Sequence, residues 1–104
     1  MRNLIIVFIS LFTFCIGISG QQKCKLNVGS FNLRYDNEGD KDDSWAHRKD
    51  MAVSLVHFHD FDVFGIQEGL IHQVKDLVKD GTYTFVGVGR DDGKEAGEHA
   101  AVFI

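Results

Sequence analysis

Apolar and polar positions alternate along residues 25–34 with the two-residue period of a strand that has one buried face. Residues 61–66 form a shorter, mostly apolar run, which indicates a strand buried on both faces. Two later segments, 83–89 and 98–104, predict a third and a fourth strand. The pattern therefore predicts four strands.

Two further segments carry the three- to four-residue apolar spacing of a helix. Ser44 is a favoured N-cap residue and predicts a helix from Trp45 to about residue 57. The apolar face predicted for this helix consists of Ala52, Leu55, Val56 and His59, flanked by Met51 and Phe58. A second helix is predicted over 70–79, before Gly81, a favoured residue just beyond a helix. The order strand, helix, strand, helix, strand, strand indicates an α/β or layered α+β sheet.

Two polar side chains stand where the first two predicted strands end. Asn32 lies near the end of the first strand, and Glu68 closes the second. Two parallel strands joined by a helix finish at the same edge of their sheet, so both side chains face one crevice. An amide oxygen and a carboxylate are hard ligands, which suit Mg²⁺ or Ca²⁺ better than zinc. The sequence therefore predicts a divalent-cation site at this edge.

The third and fourth strands extend this site if the third is parallel to the first two. It then ends at the same edge, and a hairpin through residues 91–97 starts the last strand there. Glu98 would join Asn32 and Glu68, with Arg90 and Asp91 at the rim. Four separate stretches of sequence converge on one place.

Each of these residues also has an ordinary structural explanation. An Asn at a strand end is commonly a turn residue, and a Glu before a helix favours the helix dipole. The acidic stretch 36–43 lacks the ligand pattern of a calcium loop, which favours a solvated loop. We assign structural or solvent roles to His57, His59 and His72, and we place His99 on the strand face opposite Glu98.

Composition restricts the function classes. The chain has 104 residues, 44% of them hydrophobic, with nine Phe, which is enough for a folded core. Its formal net charge of -4 argues against a protein that coats nucleic acid by charge alone, but it does not exclude a nuclease. We found no repeats or low-complexity tracts.

The N-terminus has the features of an export signal. A positive start is followed by an apolar run over 4–18, and small residues then precede the polar 21–23. We assign 1–20 as a signal peptide and 21–104 as the mature portion, secreted or periplasmic, without stable membrane association after cleavage. Cys24 would then be the sole cysteine of the mature portion and could form no internal disulfide.

The motifs together resemble the endonuclease/exonuclease/phosphatase family, with secreted bacterial members as the nearest branch. The segments that carry the resemblance are Ser30-Phe-Asn-Leu-Arg34, Ser44-Trp-Ala-His-Arg-Lys49, Gly65-Ile-Gln-Glu-Gly69 and Val88-Gly-Arg-Asp-Asp-Gly-Lys-Glu-Ala-Gly-Glu98. The resemblance implies a four-layer α/β sandwich that cleaves phosphoester bonds with Mg²⁺, or alternatively with Mn²⁺ or Ca²⁺. It implies metal-site roles for Asn32 and Glu68. It further implies that Glu98 supports a catalytic histidine and that Arg90 belongs to a phosphate-side loop.

The chain departs from the family in its extent. Such domains have about 250 residues, and their second half carries an Asp-x-Asn segment and a late Asp-His pair that have no counterpart here. We therefore interpret the chain as the N-terminal half of the sandwich, a truncated portion, and we expect it to be inactive alone.

Three functional hypotheses follow. The first is an exported Mg²⁺-dependent phosphoesterase whose substrate is a nucleic acid, a phospholipid head group or a sugar phosphate. The second is a secreted binding module that keeps the fold without catalysis, and the third is a nonfunctional fragment. Recognition alone has no need for the pair Asn32 and Glu68, which favours the first hypothesis over the second.

We predict that the mature N-terminus lies at Gly20 or Gln21, because small residues at 17, 19 and 20 follow the apolar run. N-terminal sequencing of the exported protein measures this directly. Exported protein that still begins at Met1 would contradict the prediction.

Overall fold

The computed structural model describes residues 23–104. The predicted signal peptide and its cleavage site lie outside the described residues. The strands are β1 (Val28–Asn32), β2 (Val63–Gly69), β3 (Phe85–Val86) and β4 (His99–Phe103), and the helices are α1 (Trp45–His59), α2 (Ile71–Val78) and a 3-10 helix (Glu38–Asp43). Neither α1 nor α2 is long and apolar enough to cross a membrane, a finding that applies to these described residues.

The four strands form one sheet in the order β1-β2-β4-β3. Strands β1 and β2 are parallel, and β4 is antiparallel to both β2 and β3. It follows that β3 runs parallel to β1 and β2, as the site prediction required. The mixed α/β class is confirmed, and the described residues form part of an α/β sandwich.

The core lies between the helices and one face of the sheet. Phe64 and Ile66 of β2 and Ala101 and Phe103 of β4 point to this face and are at most 2% exposed. The rings of Phe64 and Phe103 stack with centroids 4.6 Å apart, and Tyr83 meets Phe64 edge-on at 5.0 Å. The Tyr83 hydroxyl donates a 2.7 Å hydrogen bond to the Phe61 carbonyl, so its polar atom is satisfied. This aromatic cluster joins β2, β4 and the segment before β3.

The opposite face of the sheet carries several exposed apolar side chains. Val28 is 64% exposed, Val86 72% and Val102 44%. Among the described residues, no helix covers this side. In the four-layer sandwich that the sequence resemblance implies, a second sheet packs against such a face.

The predicted elements are all present, with shifted bounds. Strand β2 extends past residue 66 to Gly69. Strand β3 has only two residues, and the chain after it pairs with β4 again through a single bridge between Gly89 and His99. The acidic stretch after β1, predicted as a loop, contains the 3-10 helix, in which Asn37 caps the Gly39 amide.

The buried face of α1 is narrower than predicted. Ala52 and Val56 are buried, but Leu55 is 40% exposed and His59 is exposed as well. The helix lies over a small sheet, so only the side chains that point straight at the sheet are covered. The prediction of Leu55 and His59 as core-facing is therefore wrong.

We predict that Phe64→Ala lowers the free energy of unfolding by about 3–5 kcal/mol, because it opens a cavity at the centre of the aromatic cluster. Phe58→Ala is the matched control, since Phe58 is 83% exposed on α1, and it should change stability by less than about 0.5 kcal/mol. Urea-induced unfolding of the purified variants measures both. Equal losses would contradict the assignment of the core.

Candidate functional site

Glu68 sits at an irregularity near the end of β2. The pairing of β2 with β4 shifts register between Ile66 and Gly69, as in a β-bulge. Glu68 itself has φ 59, in the left-handed region that residues with a side chain rarely adopt. Strict alternation would direct Glu68 to the buried side with Phe64 and Ile66. The irregularity instead brings Glu68 into the same cleft as its neighbour Gln67.

Gly69 lies where the chain is tightly packed between β2 and α2. A Cβ at Gly69 would lie 2.6 Å from the Ile66 Cδ1 and 3.3 Å from the Val74 Cγ2. A larger residue here would therefore require these side chains to repack.

The cleft gathers three of the four predicted site residues. It is open, with a volume of about 450 Å³, and its lining includes Gln67, Glu68, Arg90, Glu98 and His99. The Arg90 Nη1 donates to the Glu98 Oε2 at 2.9 Å, and the Arg90 Nε lies 3.7 Å from Asp91. The side chain of Arg90 is 70% exposed, whereas that of Glu98 is 27% exposed. Glu98 thus holds one edge of a guanidinium that otherwise faces solvent.

The hairpin loop that carries Arg90 is held by its own backbone. The Arg90 amide donates to the Glu98 carbonyl at 3.1 Å, and the Asp91 amide donates to the Ala96 carbonyl at 3.0 Å. The Asp92 carboxylate accepts hydrogen bonds from the amides of Lys94 and Ala96. These bonds lower the pKa of Asp92, and the bond from Lys94 has the larger effect. The loop therefore presents Arg90 from a fixed turn.

Asn32 ends β1 beside the cleft but is not among the residues that line it. Its Cα pairs with that of Gln67 in the parallel register, one residue before Glu68. Neighbouring strands lie about 4.8 Å apart, so Asn32 and the bulge are adjacent. The Asn32 Oδ1 accepts a 2.8 Å hydrogen bond from the Arg34 amide, which fixes the direction of the amide group.

The segment after Asn32 is anchored by two arginines. Arg34 has φ 57, and its guanidinium makes two hydrogen bonds to Asp40, at 3.0 and 3.1 Å. The hydrogen bonds between the two side chains raise the pKa of Arg34 and lower the pKa of Asp40. The negative charge of Glu68 raises the pKa of Arg34 by a smaller amount. Arg48 of α1 donates to the carbonyls of Leu33 and Arg34 at 2.8 and 3.1 Å.

Gln73 is a buried residue that holds two backbone segments together and that was not predicted from the sequence. Its side chain is fully buried; Oε1 accepts from the amides of Asp36 and Leu70, and Nε2 donates to the Arg34 carbonyl, all at 3.0 Å. One side chain thereby ties the segment after β1 to the start of α2. A Gln three residues after the residue that begins a helix is the one available signal, since this is a capping position.

The residues fit a magnesium ion rather than a metal held wholly by protein. Within 23–104 there is no group of three or more His, Cys, Asp or Glu side chains that could hold a metal ion. Mg²⁺, however, keeps several waters and takes only one or two carboxylates from the protein. Glu68 makes no hydrogen bond or ion pair with any described residue, so its carboxylate is available. The metal roles of Asn32 and Glu68 stay predictions.

The remaining polar candidates form surface pairs. The His57 Nε2 lies 2.6 Å from Asp80, and the His72 Nε2 lies 2.8 Å from Asp36. Cys24 is free and exposed. None of these residues lines the cleft. His99 lies on the buried side of β4, as predicted, but it also lines the cleft, so its exclusion from the site was wrong. Its Nδ1 lies 3.1 Å from the carbonyls of Gly69 and Gly97.

We predict that Gln73→Leu lowers the free energy of unfolding by at least about 2 kcal/mol, because buried amides and a carbonyl lose their partners. Gln67→Leu makes the same chemical change at an exposed site and should cost less than about 0.5 kcal/mol. Hydrogen exchange at the Asp36 and Leu70 amides should also accelerate in the Gln73 variant alone. Unchanged exchange would show that Gln73 does not anchor the segment.

No protein-family model and no curated protein matches the chain. Solved structures do. An endonuclease/exonuclease/phosphatase from Bacteroides vulgatus is 43% identical with a TM-score of 0.75, over 78% of this chain and 31% of that chain. A family protein from Bacteroides thetaiotaomicron is 45% identical with a TM-score of 0.76, over 80% and 32%. A mannosyl-6-phosphatase from the same species is 45% identical with a TM-score of 0.71, over 76% and 31%.

The chain spans about a third of the length of these solved structures. Sequence identity and fold agree over most of the residues described here, which confirms the resemblance found in the motifs. The chain belongs to the endonuclease/exonuclease/phosphatase family.

Proposed function

We propose that the protein carrying this chain is a Mg²⁺-dependent hydrolase of phosphoester bonds. The observation that supports it most is the cleft in which Glu68, turned out of the β2 alternation, lies with the Arg90–Glu98 pair. Half-buried Glu68 supplies negative charge for a cation, and Arg90 supplies positive charge for a phosphate. A binding module without catalysis has no need for this combination.

Glu68 and Asn32 are the residues that would hold the metal. Both present oxygen, and the hydrogen bond from the Arg34 amide aims the Asn32 Oδ1. A bound divalent cation would supply charge stabilisation to a phosphoryl oxygen. The left-handed backbone of Glu68 sets the position of its carboxylate and would therefore set the position of the cation. Phosphoryl transfer depends on such positioning.

We assign to Arg90 the role of binding the phosphate of the substrate. Glu98 accepts from its Nη1, and the rest of the guanidinium is exposed to the cleft. The pairing with Glu98 orients the planar group, which can then donate two parallel hydrogen bonds to phosphate oxygens. By resemblance, Glu98 would also support a catalytic histidine, and the general base would come from outside the residues of this chain.

We propose a sugar phosphate as the substrate class. The support is the 45% identity to the mannosyl-6-phosphatase. The net charge of -4 also gives no general attraction to a nucleic-acid backbone. Phospholipid head groups and nucleic acids are the competing substrates. Comparing hydrolysis of mannose 6-phosphate, an inositol phosphate and an oligonucleotide by the full-length protein distinguishes them, and preference for either competitor would reject the assignment.

We predict that Glu68→Gln in the full-length protein weakens Mg²⁺ binding and lowers hydrolysis, each by at least about 100-fold. Substituting a residue that only hydrogen-bonds to a metal ligand already lowers metal affinity or activity by up to about 100-fold. The change keeps size and removes the charge that attracts the cation. Calorimetric titration with Mg²⁺ and a phosphate-release assay measure the two effects.

Glu95→Gln provides the matched control. Glu95 is a 64% exposed carboxylate in the hairpin loop that carries Arg90, and it lies 3.6 Å from the Lys75 Nζ. Its loss should leave the Mg²⁺ titration unchanged. An unchanged titration in the Glu68 variant as well would remove Glu68 from the site; a helix-start charge alone predicts only a stability loss of about 0.3–1 kcal/mol.

A further inference from the structure

His99 is a buried side chain with a defined hydrogen-bonding state. It is 1% exposed, and its Nδ1 lies 3.1 Å from the Gly69 carbonyl and 3.1 Å from the Gly97 carbonyl. Carbonyl oxygens only accept, so Nδ1 must carry the hydrogen that both share. The neutral ring is then the Nδ1–H tautomer. Its Nε2 is buried without a hydrogen-bond partner among the described residues.

The two carbonyls belong to the residues next to the two carboxylates of the cleft. Gly69 follows Glu68 in β2, and Gly97 precedes Glu98 at the start of β4. One N–H group therefore joins the backbones that carry both acids. We propose that His99 is a positioning residue that fixes Glu68 and Glu98 relative to each other, an inference that rests on the proposed phosphoester hydrolysis.

The backbone ladder also joins the two strands here, since Gly69 pairs with His99, but it is interrupted immediately before Gly69. Pairing between β2 and β4 is irregular from Ile66 to Gly69, the stretch that contains Glu68. A bulge leaves its extra residue outside the ladder and bends the strand. The side chain of His99 adds a bond to Gly69 immediately beyond this gap.

Both carboxylates also adjoin backbone in the left-handed region. Glu68 has φ 59 and Gly97 has φ 83. For a residue with a side chain, such a conformation persists only when its surroundings hold it. On one side, Gln73 binds the Leu70 amide and His99 binds the Gly69 carbonyl, so the two residues after Glu68 are fixed. On the other side, the same imidazole fixes the residue before Glu98.

Four variants in the full-length protein test the proposal. His99→Phe keeps a ring and removes the donor, whereas His99→Asn places an amide nitrogen near the position of Nδ1. His99→Gln carries its amide one carbon further out, where it cannot reach both carbonyls. Phe103→Leu trims a fully buried neighbour on the same face of β4, remote from the cleft, and controls for a general loss of stability.

We expect the Phe and Gln variants to raise the Kd for Mg²⁺ and to lower kcat by about 10-fold or more each, with a smaller change in KM. His99→Asn should recover most of both. Phe103→Leu should lower the Tm while leaving the Kd and kcat unchanged below the transition. Should His99→Phe fail to fold, the Asn and Gln pair gives the same comparison.

The tautomer provides a readout independent of metal and activity. Nitrogen-15 NMR of the imidazole, assigned by its loss in a His99 variant, should show hydrogen on Nδ1. Hydrogen on Nε2, or Phe and Gln variants indistinguishable from Phe103→Leu, would overturn the positioning role. A Glu68→Gln variant with unchanged Mg²⁺ binding and unchanged hydrolysis would instead reject the proposed function, so the two failures are distinguishable.

Discussion

The left-handed backbone at Glu68 is the constraint on which the rest of the site depends. Regular alternation along β2 would send this carboxylate into the apolar layer with Phe64 and Ile66, where an unpaired charge is costly. The bulge places the acid in the open cleft, and the strand keeps its core residues in register. Gln73 and His99 support the conformation, because they bind the backbone groups that follow Glu68. The stability of this edge is therefore tied to the orientation of one functional group.

Much of the scaffold could be predicted because local chemistry and tertiary packing agree there. Ser44 immediately precedes α1 as predicted, although its side chain makes no capping hydrogen bond, and the apolar segments become strands in the expected order. Connectivity then placed Glu68, Arg90 and Glu98 at one edge, because parallel strands and a returning hairpin leave no other arrangement. The approach of distant residues was thus derived without any knowledge of their side-chain contacts.

The anchors escaped prediction because their partners are backbone groups brought close only by folding. Nothing in the sequence around Gln73 indicates that it would bind the Arg34 carbonyl, 39 residues away. The alternation of β4 correctly placed His99 on the buried face, and for that reason His99 was predicted to lie outside the cleft. Its ring nevertheless binds the carbonyls of Gly69 and Gly97, next to the two carboxylates of the cleft. The bulge also has no signal in the sequence, since Glu68-Gly69 is compatible with a regular strand end.

Ion pairs around the cleft involve every acidic side chain of its lining except Glu68. Glu98 is paired with Arg90 at 2.9 Å. Arg34 lies within electrostatic reach of Glu68, but Asp40 makes the dominant contribution to its raised pKa. Arg34 is paired with Asp40 and Arg90 with Glu98, so Glu68 has no ion-pair partner among the described residues. Under the proposed function, this unpaired carboxylate is the one that would bind a divalent ion that retains part of its hydration.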